Sequence, residues 1–149
     1  MIMEHTFAML KPGVLQRRLV GEVISRFERK GLKIIALKLM KMDAALVQAH
    51  YEEHMGKDFY EKLREYTLSG PVVALVLEGE GVISTVRRLI GPTDVNTALP
   101  GTIRGDFCYR TRLNIVHASD SKQSAEREIG LFFKPEELIP WEDGNGQWF

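Results

Sequence analysis

Near the end of the short apolar run Asn114-Ile115-Val116-His117-Ala118 stands a histidine, and Asp120, with Gln123 three residues on, can cap a helix directly after it. Amides at a helix start favour negative charge, so His117 would face a mouth that accepts anions. On the helix that follows, Ser121, Ser124 and Glu128 fall on one stripe, which lets Glu128 point back toward the strand end. A carboxylate that holds one imidazole nitrogen fixes the tautomer and leaves the other nitrogen as a nucleophile. Taken alone, a histidine in such a place is more often structural than catalytic.

A second group is cationic: Lys11 after the first apolar run, Arg87 and Arg88 on a late helix, and Arg104 in Pro100-Gly101-Thr102-Ile103-Arg104-Gly105-Asp106-Phe107. Arginine presents planar forks suited to phosphate oxygens. Each cation by itself reads as a solvated surface charge. Lys11 and His117 both follow short apolar runs, and neighbouring strand ends would bring them to one rim. His50 and His54 stand four apart, the spacing of two metal ligands on one helix face, but no third ligand is evident and the Glu-x-x pattern of zinc proteases is missing. The pair, like His5, reads as a partly exposed face. Phosphate-cradling glycine loops and paired cysteines for zinc are absent from the sequence, and the lone Cys108 reads as packing.

Alternating strands and helices would have to position these groups. Thr6–Leu10 reads as a buried strand ended by Lys11-Pro12-Gly13, and Val20, Val23, Ile24 and Phe27 as a helix stopped by Gly31. Leu32–Met42 has strand character. Asp43 caps a helix to about His54, and Asp58-Phe59-Tyr60-Glu61 has capping spacing before the stripe Phe59, Leu63, Tyr66, giving a helical hairpin. Val72–Leu77 lacks polar alternation and should be covered on both faces, by helices or by another subunit. Val82, Val86 and Leu89 mark a helix before Gly91-Pro92, and Gly91–Leu113 shows no sustained period, so it reads as a long functional loop. The last helix runs from Asp120 to about Phe133. Two strand-helix-strand units around one sheet suggest an α+β, ferredoxin-like βαββαβ sandwich with a four-stranded antiparallel sheet and an inserted helical hairpin.

The chain has 149 residues, with 20 Lys+Arg against 20 Asp+Glu and a hydrophobic share of 44%. One domain over residues 1–149 is expected, with the tail from about 135 to 149, ending in Trp148-Phe149, docked on the body or on a neighbouring subunit. Zero net charge argues against broad capture of nucleic acid, so any phosphate site must be a local cluster. One cysteine fits a reducing compartment, and the stretch Met1–His5 has no basic region followed by a long apolar run, so a cytoplasmic chain without a membrane partner is expected.

The strings Asn114–Ser121, Ser124–Phe133, Pro100–Phe107 and Ser69-Gly70-Pro71-Val72 occur here in the order they take in the nucleoside diphosphate kinases, which the chain resembles from Thr6 to about Leu138. The resemblance implies that His117 is the nucleophile. It would take the γ-phosphoryl group of a nucleoside triphosphate as phosphohistidine and pass it to a nucleoside diphosphate. By the same resemblance Glu128 orients His117 with support from Ser119. Lys11 and Asn114 contact the ribose hydroxyls and nearby phosphate, and Arg87, Thr93 and Arg104 hold phosphates. Phe59 stacks on the base near Tyr51, and Asp120 approaches Mg²⁺ through water. The family also implies a homo-oligomer, a hexamer by the long tail, with a tetramer as the alternative.

Two positions depart from the family's pattern. Gly13 stands in Lys11-Pro12-Gly13-Val14-Leu15-Gln16-Arg17 where an acidic residue is usual, and Thr93-Asp94-Val95 replaces the usual Thr-Asn-Pro, which adds a charge beside a phosphate contact. A non-catalytic ferredoxin-like module that binds a nucleotide or RNA is the alternative, since that sandwich hosts many functions.

Overall fold

The computed structural model describes residues 3–149; Met1 and Ile2, which open the N-terminal stretch considered above, lie outside the described residues. Strand β1 (Met3–Leu10) pairs antiparallel with β3 (Val72–Glu80) on one side and with β4 (Val116–Ala118) on the other. Strand β2 (Lys33–Met40) adds antiparallel to the free edge of β3, so the order across the sheet is β2-β3-β1-β4. Helix α1 (Val20–Arg29) links β1 to β2, and the hairpin α2 (Ala44–His50) and α3 (Tyr60–Leu68) lies between β2 and β3. Helix α4 (Val82–Ile90) and a short α5 (Ile103–Phe107) precede β4, and α6 (Lys122–Phe132) follows it. This is the ferredoxin-like α+β architecture expected from the pattern.

Successive strand side chains point to opposite faces, and the apolar sequence exploits both. Ala8, Leu10, Val73, Leu75 and Leu77 meet Val23 and Phe27 of α1 and Val82, Val86 and Ile90 of α4. Phe7, Met9, Val72, Ala74 and Val76 meet Val47 and Tyr51 from the hairpin side and Phe132 and Phe133 from the end of α6 and the residue after it. Helices therefore cover both faces of β3, which explains its unbroken apolar run. Each buried aromatic or aliphatic side chain here contributes roughly 1.5–3 kcal/mol relative to exposure.

The local signals differ from expectation at several element ends. Asp43 does cap α2, accepting the Leu46 N–H at 2.8 Å, but the α-helix ends at His50 and only a 3₁₀ turn, Glu52–His54, continues it. Asp58 makes no cap: Phe59 is the N-cap residue of α3 and offers no side-chain acceptor. Ser121 rather than Asp120 caps α6, accepting the Ser124 N–H at 3.0 Å, while the Asp120 carboxylate takes the Ser124 hydroxyl at 2.7 Å. Within the long loop, Thr102 caps α5 and two 3₁₀ turns appear, all too short to show a sequence period. A register shift between Ile34 and Ala36 frees carbonyls on β2 that the tail uses: Ile139 N–H donates to Ile35 O and Trp141 Nε1–H to Ile34 O, both at 2.8 Å. Among the described residues no helix is long and apolar enough to cross a membrane.

Candidate active site

His117 lies in the middle of β4, opposite Met9 of β1, and alternation turns it to the same sheet face as Met9 and Phe7. The chain enters β4 through Ile115, whose φ of 57° is a left-handed conformation that a β-branched side chain rarely adopts. Arg104 braces this turn. It is 3% exposed, and its guanidinium donates to the carbonyls on either side of Ile115, to Asn114 O at 3.2 Å and Val116 O at 2.6 Å, and to Gly91 O at 3.0 Å. Three of its five N–H donors are thereby committed to the backbone, and a phosphate could engage only the remainder.

The His117 ring, 21% exposed, is tied to α6: Nε2 lies 3.0 Å from Oε2 of the buried Glu128. The other Glu128 oxygen accepts the Ser119 hydroxyl at 2.6 Å, and that hydroxyl accepts the Phe7 N–H at 3.3 Å, so the carboxylate is anchored through Ser119 to β1. An ionised carboxylate accepts only, so Nε2 carries the proton and Nδ1 presents its lone pair.

Lys11 follows β1 by one residue, and its N–H donates to Ile115 O at 2.8 Å, which joins it to the turn before β4. Its Nζ donates to Asn114 Oδ1 at 2.7 Å and lies 5.8 Å from the Tyr66 ring centre. Burial first, then the Arg104 charge, lowers its pKa from 10.5 to about 7. Arg87 on α4, half-buried, donates to Ala118 O at 3.2 Å, which sets it beside β4, the strand of His117, whereas Arg88 is exposed. Asp120 is exposed; the Ser124 hydroxyl, more than Arg87, holds its carboxyl below the usual range.

Of the other expected contacts, Phe59 and Thr93 are exposed and Tyr51 is not. Phe59 is 49% exposed at the start of α3, with its ring 5.2 Å from that of His54. Tyr51 is buried, its hydroxyl without a hydrogen-bond partner among the described residues, and burial raises its pKa. Thr93 is exposed in the loop after α4. The two departures settle into local structure. Gly13 takes φ +96°, where a side chain would be strained, and its N–H donates to Gln16 Oε1 at 3.0 Å. The Asp94 carboxylate caps a 3₁₀ turn by accepting the Asn96 N–H at 3.0 Å. Cys108 donates to Leu113 O at 3.0 Å and burial raises its thiol pKa, consistent with packing.

One reading is corrected: His50 is no part of an exposed helix face. It is 2% exposed, with its ring centre 4.7 Å from that of His117 at 80°, and Phe7 and Phe132 flank it. Burial, then His117 and Arg127, lower its pKa to about 2, so it is neutral. The signal was present in the stripe Val47, His50, Tyr51 at i, i+3, i+4, all three buried. Arg127 was also missed. It donates to the carbonyls of Ala49 and His50 at 3.0 and 3.3 Å and so clamps α6 to the end of α2.

A fixed imidazole with a free nitrogen, ringed by buried and half-buried cations, is equipped for phosphoryl transfer rather than acid–base work. The family model described as nucleoside diphosphate kinase matches residues 4–138. A nucleoside diphosphate kinase of Treponema pallidum is 58% identical over 149 residues, all of both chains. One from Archaeoglobus fulgidus is 53% identical over 146 residues, 98% of this chain and 97% of that one. Among solved structures, a nucleoside diphosphate kinase of Halobacterium salinarum in complex with CDP superposes with a TM-score of 0.95 at 44% identity, covering 97% of each chain. These matches do not favour a non-catalytic binding module. The chain, 149 residues matched along nearly its whole length, belongs to the nucleoside diphosphate kinase family, whose members are phosphotransferases acting on nucleoside di- and triphosphates.

Proposed function

We propose that His117 Nδ1 is the atom that carries the phosphoryl group. The observation that carries this reading is the 3.0 Å contact between Nε2 and Glu128, which leaves Nδ1 free on a partly exposed ring. The Nδ1 lone pair attacks the γ-phosphorus in line, the N–P bond forms as the bond to the β–γ bridging oxygen breaks, and the diphosphate leaves. The proton stays on Nε2, where Glu128 balances the charge that develops on the ring. The reverse step transfers the group to a second nucleoside diphosphate.

Lys11 and Asn114, already joined, present donors to the ribose hydroxyls and nearby phosphate, while Arg87, Thr93 and the uncommitted donors of Arg104 hold phosphate oxygens. Phe59 stacks on the base near Tyr51, and stacking reads little base identity, so many bases serve. Asp120 is an exposed, ionised oxygen donor close enough to Arg87 for that charge to lower its pKa. A single carboxylate suits Mg²⁺, which keeps several waters and is held mainly by substrate phosphates. Mg²⁺ brought by the nucleotide would supply charge neutralisation between phosphates. We read residues 1–149 as a single cytoplasmic domain that assembles into a homo-oligomer, a hexamer with a tetramer as the alternative. Leu37 and Leu39, 51% and 61% exposed on the edge strand β2, support a partner surface, and light scattering decides the order.

Incubation with terminally labelled ATP and Mg²⁺ should yield an acid-labile phosphoprotein that GDP discharges as labelled GTP. An unlabelled wild type would remove the transfer reading, and labelling that persists in His117→Ala would remove the assigned nucleophile.

A further inference from the structure

Phosphoryl transfer leaves the buried histidine beside the nucleophile without a task. One nitrogen of His50, one of His117 and one oxygen of Glu128 lie within 4.8 Å of one another. His50 is 2% exposed, and neither of its ring nitrogens has a hydrogen-bond partner among the described residues. Burying such a donor and acceptor unsatisfied is costly, which is why buried polar atoms are nearly always paired. The Arg127 clamp on the Ala49 and His50 carbonyls pins the end of α2, so the ring is held against His117.

We propose that His50, His117 and Glu128 form a site for a borderline transition ion such as Zn²⁺, and that its occupancy silences the enzyme. Two imidazoles and one carboxylate suit Zn²⁺ and leave a fourth position for water. Mg²⁺ prefers six oxygens, so this site is separate from any ion that arrives with the nucleotide. Tetrahedral ligands at about 2.0–2.1 Å from the ion stand roughly 3.3 Å apart, so the three donors must draw in. The His117 side chain, 21% exposed against 5% for Glu128, has the most room to turn.

The inhibitory effect rests on His117 being the nucleophile; the site itself does not. An ion on Nδ1 occupies the attacking lone pair. An ion on Nε2 replaces the proton shared with Glu128 and draws electron density from the ring. Either way transfer stops. Positive charge nearby, including Arg127 Nη2 at 4.0 Å from Glu128, opposes a further dication, so the site fills reversibly.

Co²⁺ titration of the nucleotide-free protein tests the site directly, because tetrahedral Co²⁺ absorbs intensely in the visible. The wild type should develop these bands, saturating at a single ion per chain, and His50→Gln should lose them with an unchanged far-ultraviolet circular dichroism spectrum. His50→Phe keeps a ring without nitrogens, and Glu128→Gln removes the charge; both should lose the bands as well. With Mg²⁺ in excess, Zn²⁺ should block phosphoenzyme formation, and His50→Gln should raise the Zn²⁺ concentration required by about tenfold or more. Absence of bands in the wild type, or bands that survive in all three variants, would overturn the site. Equal Zn²⁺ sensitivity in wild type and His50→Gln would overturn the inhibitory role. A chain that binds Co²⁺ this way yet never forms a phosphoenzyme would keep the metal site and lose the transfer reading instead.

Discussion

The two faces of the sheet have divided their labour. Toward α1 and α4 the buried strand and helix side chains are apolar, from Val23 and Phe27 to Val86 and Ile90, apart from Thr6, whose buried hydroxyl has no partner among the described residues. Toward α2 and α6 the layer holds His50, Tyr51 and Glu128 beside Phe7 and Phe132, and His50 and Tyr51 keep buried polar atoms unpaired. The first face resembles any well-packed core, in which each contact serves stability. The second carries titratable groups, whose burial costs more free energy, and there Glu128 holds His117 in one defined tautomer. The contrast teaches that the stabilising layer and the reactive layer can be perturbed separately, although both pack on the same strands.

Phe27→Ala is the most severe way to break that separation. It should cost about 3–5 kcal/mol of stability by leaving a cavity under α1, while turnover per folded molecule stays unchanged. Denaturant titration and active-site counting read the two quantities, and a parallel fall in turnover would show the faces to be coupled. Glu128→Gln attacks the other layer. It removes the charge behind His117 and should lower turnover by about 10- to 100-fold, with a smaller change in KM; an unchanged turnover would deny the carboxylate its orienting role. Phe59→Ala probes the exposed ring and should weaken substrates of every base by about 1–3 kcal/mol, measured as kcat/KM for several nucleotides. A loss confined to one base would contradict stacking.

The smallest effect is a proton count. With its pKa lowered from 10.5 to about 7, Lys11 is largely neutral in the free protein above that value, and bound phosphate restores its charge. Nucleotide binding near pH 8 should therefore take up as much as about one proton, and Lys11→Met should take up less. Calorimetry in two buffers of different ionisation enthalpy measures the difference, and equal uptake would refute the assignment. The same depression has a sign for stability. Below about pH 7 Lys11 is charged in both folded and unfolded chains and the full cost of its burial is present, whereas that cost is relieved as pH rises toward 10.5.

Much of the fold was legible because it is written in short-range periods. The apolar run Val72–Leu77 of β3, the α4 stripe ending at Gly91 and the helix carrying Glu128 all follow from spacing within one element. The cap of α6 differs from the expected one because Ser121 and Asp120 compete for the same orphan amides, and that of α3 because the helix starts one residue later, with Phe59 and not Asp58 at the cap position; only the backbone path decides both. The short helix α5 escaped because five residues hold too little of a period to register.

For the site, sequence alone determined the relation between His117 and Glu128, since eleven residues of strand, turn and helix leave few ways to arrange them. Tertiary structure decided the rest. It buried His50 against His117 from 67 residues away, set Arg104 across the strained turn at Ile115, and lowered the pKa of Lys11 by enclosing it. The physical reason is that local spacing fixes which way a side chain leaves its own element. Burial and charge coupling depend on what other elements bring to meet it, and chain separation carries no record of that meeting.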